Sequence, residues 1–207
     1  MGLENIYPKL VDVFGAENII LVGGAAMKLS CDPERQLLDT DVAVFPSKLR
    51  GVERKKLDNL GLNGVYDSDK LITVIDKETE TEREVSSQDC GNMNNVLGLP
   101  PYTEENPTIL GLNLRDVINE GQWCNFKGEK MKIPNPVHNL IMKYNLWLFR
   151  GRGEVEEQKD AKDINKIVKY YFKDLNTLIH TNSVAIRRNC RASSYEKFIE
   201  DMKRIVS

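Results

Sequence analysis

The apolar run 18–22 ends in Gly23-Gly24, and fifteen residues after the second glycine come two aspartates, Asp39 and Asp41, separated by one residue. A run this short and apolar reads as a buried strand, and the glycine pair as a tight turn into the helix formers of 25–30. Such a turn lets backbone N–H groups approach an anion closely, with the helix N-terminus favouring the negative charge. Residues 41–45 are β-prone and stop at Pro46. On a strand, carboxylates at i and i+2 share a face about 6–7 Å apart, and like charges so placed repel unless a cation lies between them. Mg²⁺, or Mn²⁺, meets that need, because a hard divalent ion is held by one or two carboxylates together with substrate phosphates. A phosphate cradle followed by metal carboxylates points to nucleotide chemistry.

Around this feature the chain reads as a mixed sheet followed by a helical half. Apolar side chains at helical spacing predict a helix over 3–14, stopped by Gly15. Ser47 can cap a helix through about residue 60, after which Gly61 and Gly64 punctuate the chain. Residues 71–76 and 83–87 predict a hairpin around the charged stretch 77–82. The Gly-, Asn- and Pro-rich stretch 90–107 predicts a long irregular loop. Residues 123–126 and 130–133 predict a second hairpin around Lys127-Gly128. Helices are expected over 137–149, 154–172, 175–181 and 193–206, the last capped by Ser193 or Ser194. The fold class is therefore α+β, a small mixed sheet flanked by helices over 1–134 and a helical region over 135–207 packed on that core.

Composition bounds the function. A chain of 207 residues with 41% hydrophobic and 29% charged residues folds as one compact domain or one with a helical annex. With 29 Lys and Arg against 31 Asp and Glu, no global field draws it to nucleic acid or anionic lipid, so any nucleic-acid site must be a local patch. No run approaches the roughly 20 apolar residues of a membrane span, and the charged N-terminus lacks a secretory core, so a cytoplasmic protein is expected. Cys31, Cys90, Cys124 and Cys190 lie far apart without a CxxC pair, which predicts neither zinc nor disulfides but free, mostly buried thiols. His138 reads as a capping or surface residue and Trp147 as core packing, with stacking on a base as its alternative role.

The order of strand, Gly-Gly, short helix and a strand bearing Asp39 and Asp41 resembles the DNA-polymerase-beta-like nucleotidyltransferase superfamily, and in particular its small stand-alone minimal and abortive-infection-type members. In those proteins an Arg often stands four residues before the first Asp, as Arg35 does here. A second match runs through Pro134-Asn135-Pro136, Lys143, Arg150 and the Lys-Asp pairs Lys159-Asp160 and Lys162-Asp163. Thr40 and Leu37 depart from the usual apolar and Ser or Thr residues, and neither removes a ligand.

The resemblance implies a nucleotidyltransferase fold and Mg²⁺-dependent transfer of an NMP from an NTP to a hydroxyl of a protein, a tRNA or a small molecule. It implies nucleotide binding by Gly23, Gly24, Lys28, Arg35, Lys143, Arg150 and Lys162, and metal and catalytic roles for Asp39, Asp41 and a third carboxylate. Glu82, Glu84, Asp76 and Asp89 compete for that third place, and Glu84 is favoured for its position in the second strand of the first hairpin. Lys143 and Arg150, seven residues apart, share a helix face from which both could reach a triphosphate. The alternative is a catalytically degenerate protein of the same fold that binds a nucleotide or neutralises a partner, as in a toxin–antitoxin pair.

Overall fold

The computed structural model describes residues 3–37, 41–45, 47–48, 54–68, 71–76, 81–86, 97, 99, 103, 105–150 and 154–206; within 54–55, 63–68, 71–76, 81–86 and 154–158 it describes the backbone alone. The chain separates into two compact units. Unit 1 comprises Met1–Gln88, Thr103–Thr108 and Asn113–Pro134, and unit 2 comprises Asp89–Tyr102, Ile109–Leu112 and Asn135–Ser207.

Unit 1 begins with helix α1 (Leu3–Phe14), whose buried face is Leu3, Ile6, Tyr7, Leu10, Val13 and Phe14, the i, i+3, i+4, i+7 pattern that its sequence spells. Strand β1 (Ile19–Leu21) is buried at every residue and runs into helix α2 (Gly23–Ser30). Strand β2 (Asp41–Val44) follows, then helix α3 (Arg54–Asn59), strands β3 (Leu62–Ser68), β4 (Leu71–Asp76) and β5 (Thr81–Ser86). These five strands form one mixed sheet in the order β1-β2-β5-β4-β3. β2 is antiparallel to β1 and parallel to β5, and the other pairings are antiparallel. The class is α+β.

The hairpin expected from 71–76 and 83–87 is β4 paired with β5. β3 was not expected: Gly61 and Gly64 read as punctuation, whereas Gly64 lies within a seven-residue strand paired with β4 opposite Val74. Pairing with a neighbouring strand overrides the weak propensity of a strand glycine. Of the helix expected over 47–60, residues 47–48 and α3 are helical, and 49–53 lie outside the described residues, as does most of the loop expected over 90–107.

Two short strands, β6 (Thr108–Ile109) and β7 (Leu112–Asn113), precede helix α4 (Leu114–Asn119), which Asn113 caps by accepting the N–H groups of Arg115 at 2.9 Å and Asp116 at 3.2 Å. Strands β8 (Gln122–Phe126) and β9 (Glu129–Ile133) form the second expected hairpin. Lys127 and Gly128 turn it with φ of +50° and +92°, as a tight two-residue hairpin turn requires. Tyr7 ties α1 to this hairpin: its buried hydroxyl accepts the Lys132 N–H at 3.1 Å, and burial pushes the phenol pKa up to about 12.

Unit 2 is largely helical: α5 (Pro136–Phe149), α6 (Glu154–Ile167) continuing into a single π turn (Val168–Phe172), α7 (Leu175–Asn189) and α8 (Tyr195–Val206). Side-chain caps start three of these helices. Asn135 accepts from the His138 N–H at 2.8 Å, Asp174 from the Thr177 N–H at 2.8 Å, and Ser194, one of the two expected caps, from the Lys197 N–H at 3.1 Å. The helix expected over 154–172 is broken at its end by the π turn, which keeps both Val168 and Phe172 buried. The helix expected over 175–181 extends to Asn189 because its apolar spacing continues from Leu178 to buried Ile186.

His138, expected as a capping or surface residue, is 1% exposed, and the cap is Asn135. Trp147 is core, 1% exposed, stacked on Tyr144 with ring centroids 5.9 Å apart. Cys31, Cys124 and Cys190 are free, but only Cys190 is buried; the other two are half-exposed, and Cys90 lies outside the described residues. No helix among the described residues is long and apolar enough to cross a membrane.

Tyr7→Phe keeps the ring and strands one buried backbone donor. It is expected to lower unfolding stability by about 1–3 kcal/mol, read as a lower denaturation midpoint at unchanged urea m-value.

Candidate active site

In unit 1 the glycine turn and Asp41, expected from the sequence to form part of a nucleotide site, meet at the junction of β1, α2 and β2. The Val22 N–H donates to the Asp41 carbonyl at 3.0 Å, which extends the β1–β2 ladder to the mouth of the turn. Gly23 follows with φ +60°, a left-handed conformation that L side chains rarely adopt. A Cβ at Gly23 would collide with Oδ2 of Asp41 and stand 3.3 Å from its Cγ. The backbone at the start of α2 is therefore pressed directly against the Asp41 carboxylate. Gly24 has no positive φ, so of the glycine pair only Gly23 is demanded by conformation.

On the other side of β2, the parallel register pairs Asp41 with Glu84. Two acidic residues 43 positions apart in sequence thus occupy neighbouring places on adjacent strands. Asp39 lies outside the described residues, and β5 is described by its backbone alone. Among the described residues no three His, Cys, Asp or Glu side chains converge as a metal site. What the structure does offer such an ion is chemically suitable: a half-buried carboxylate at a tight glycine approach, with a second acidic residue in register beside it.

Lys28, on α2, donates to the carbonyls of Pro33 at 3.0 Å and Arg35 at 2.6 Å, and Arg35 pairs with Asp32 at 3.6 Å. These bonds hold the segment that leads from α2 towards the aspartates in a fixed course. Sequence reading placed Lys28 and Arg35 near a phosphate, and missed that Lys28 organises the backbone of the connecting segment.

The remaining expected nucleotide ligands belong to unit 2, where the structure gives two of them internal partners. Lys143 is 5% exposed, and its Nζ lies 2.8 Å from Asp163 and 3.7 Å from Asp160. Arg150 contacts Asp160 at 2.7 Å. Burial pushes the Asp160 carboxyl above its ordinary value, and Lys143 and Arg150 offset part of that rise. Lys162 is exposed on α6. From the Pro-x-Pro, Lys, Arg and Lys-Asp series noted in the sequence, Lys143, Asp160 and Asp163 form a buried ion cluster between α5 and α6, which Arg150 joins from its exposed edge. Its signal was the spacing itself: Lys143 with Arg150 on one helix, Asp160 with Asp163 on the next.

Two substitutions test these placements. Gly23→Ala is expected to destabilise unit 1 by more than the roughly 1 kcal/mol typical of a strained alanine, whereas Gly24→Ala, at a helical position, is expected to be neutral or stabilising; paired denaturation curves read the difference. Lys143→Met leaves two buried carboxylates short of a cation and is expected to cost about 3–5 kcal/mol. Adding Asp163→Asn should recover part of that loss in a double-mutant cycle.

No protein-family model matches the chain. No curated protein matches it. Among solved structures it is similar to the crystal structure of an antigenic nucleotidyltransferase-like protein from Paracoccidioides brasiliensis, at 18% sequence identity and a TM-score of 0.44, over 96% of this chain and 91% of that one.

Proposed function

We propose that the chain is a Mg²⁺-dependent nucleotidyltransferase that moves an NMP from an NTP to a hydroxyl acceptor and releases pyrophosphate. The observation that supports this reading is the packing of the Gly23 backbone against Asp41 with Glu84 as the register neighbour of Asp41. A triphosphate would lie along the N-terminus of α2, where unpaired backbone N–H groups and the helix dipole favour negative charge and Gly23 and Gly24 present no side chain. Asp39, Asp41 and Glu84 would hold Mg²⁺ or Mn²⁺, which supplies positive charge at the phosphates and lowers the pKa of the acceptor hydroxyl.

Glu84 is assigned the general base. The acceptor oxygen forms a bond to the α-phosphorus, its proton passes to the base, and the bond from that phosphorus to the bridging oxygen breaks, releasing pyrophosphate. Lys28 and Arg35, both in unit 1, are assigned to the phosphates. The acceptor is a protein, a tRNA or a small hydroxylated molecule, and the site of action is cytoplasmic.

Thermal shift with ATP, CTP, GTP and UTP, each with Mg²⁺, provides the test. One nucleotide is expected to raise Tm in wild type at millimolar concentration, by linkage, and the rise is expected to vanish in Asp39→Ala/Asp41→Ala and on chelation of Mg²⁺. A folded wild type that shifts with none of the four overturns the reading in favour of a partner-binding role.

A further inference from the structure

The helix that supplies Asp160 and Asp163 to the buried cluster carries its lysines on the other side. Lys159, Lys162, Lys166, Lys169 and Lys173 recur at spacings of three, four, three and four residues through α6 and the π turn, and all five are exposed. On α6 that spacing keeps Lys159, Lys162 and Lys166 on one helix face, and the π turn and its C-terminal end carry Lys169 and Lys173 onward from it, both exposed. At the start of this stretch Lys and Asp stand side by side in the sequence, as Lys159-Asp160 and Lys162-Asp163. The fold separates them: Asp160 and Asp163 are 0% and 3% exposed, facing Lys143 and Arg150, while Ile164, Ile167 and Val168 are fully buried. Neutralisation inside leaves a cationic ridge outside.

The asymmetry extends to the whole unit. Unit 2 has 14 Lys and Arg against 10 Asp and Glu, whereas unit 1 has 15 against 21. The net charge of -2 therefore conceals a basic unit and an acidic one. Tyr170 stands beside the ridge, 63% exposed, with its ring edge-to-face on Tyr171 at 4.9 Å.

We propose that the ridge of Lys159, Lys162, Lys166, Lys169 and Lys173, with Tyr170 beside it, binds the backbone of a single-stranded polynucleotide. A succession of exposed ammonium groups along one segment suits a chain of phosphates, and an exposed aromatic ring offers a stacking platform to an unstacked base. An anionic bilayer fits less well, because a membrane-surface helix presents an apolar face to lipid and the apolar face of α6 is already buried in the unit. The surface is argued from unit 2 alone and stands whether or not unit 1 handles a nucleotide.

The experiment is fluorescence anisotropy of a labelled 20-nucleotide single-stranded RNA of mixed sequence with the full chain, without NTP or divalent ion, from 50 to 200 mM NaCl. Three to five phosphate contacts predict a slope of log affinity against log salt of about -2 to -3.5. Lys166→Gln/Lys169→Gln/Lys173→Gln is expected to weaken binding about tenfold or more and to flatten the slope, with the Lys→Glu triple as a stronger version and Tm confirming the fold of each. Tyr170→Ala should weaken binding several-fold at unchanged slope, because stacking is not ionic. Asp41→Ala should bind RNA like wild type, which separates this surface from the triphosphate site. Absence of salt-dependent binding, a folded glutamine triple that binds like wild type, or capture by phosphatidylserine vesicles that the RNA does not compete away overturns the proposal.

Discussion

The hydrogen bonding of β2 on both of its edges is the constraint on which unit 1 depends. β2 pairs antiparallel with β1 through Ile19–Val44, Ile20–Ala43 and Leu21–Val42, and parallel with β5 through Asp41–Glu84, Val42–Val85 and Ala43–Ser86. A parallel neighbour demands a crossover, and here the chain spends α3, β3 and β4 before β5 returns beside β2. That detour brings Glu84 next to Asp41. On the opposite edge the short β1 leaves no room for a loop, so the turn at Gly23 lies directly on Asp41. Val42, Ala43 and Val44 are fully or almost fully buried, which fixes the strand's register and with it the place of Asp41 at its exposed end.

Unit 2 depends on a different device. A helix bundle of this size could be held by apolar packing alone, yet α5 and α6 meet over Lys143, Asp160 and Asp163. Buried ion pairs add little net stability but are costly to break singly, so they select one alignment of two helices over its neighbours. A second buried polar contact ties α5 to α8, where Tyr144 donates to Asp201 at 2.9 Å, and its own burial raises the phenol pKa. Cys190 lies close by, with its thiol pushed up to about 11 by burial, which keeps it protonated and unreactive.

Much of this was legible in the sequence where local signals and burial agreed. α1, the β8–β9 hairpin with its Lys127-Gly128 turn, and the Ser194 cap of the last helix follow from periodicity, turn chemistry and a short polar side chain. The misses have two causes: tertiary pairing overrode local preference at Gly64 and at the π turn, whereas in the C-terminal half of α7 the apolar spacing ran on to Ile186 and went unread. In the candidate site, the glycine turn and Asp41 were readable, because a tight approach needs glycine. Their close packing was not, since it depends on which strand lies beside which. Lys143 and Arg150 show the limit most clearly. Their spacing announced a shared helix face, but not that two aspartates on the next helix face them.

The π turn has a consequence of its own. Such a turn behaves as a helix that has taken in one additional residue without breaking. Upstream of Val168 the face of α6 is set by its contact with α5; downstream, one extra residue has rotated the chain by roughly a quarter-turn before Lys173, at φ +66°, ends the element. The segment works as a phase adjuster between two helical surfaces, with Val168 and Phe172 buried at its two ends.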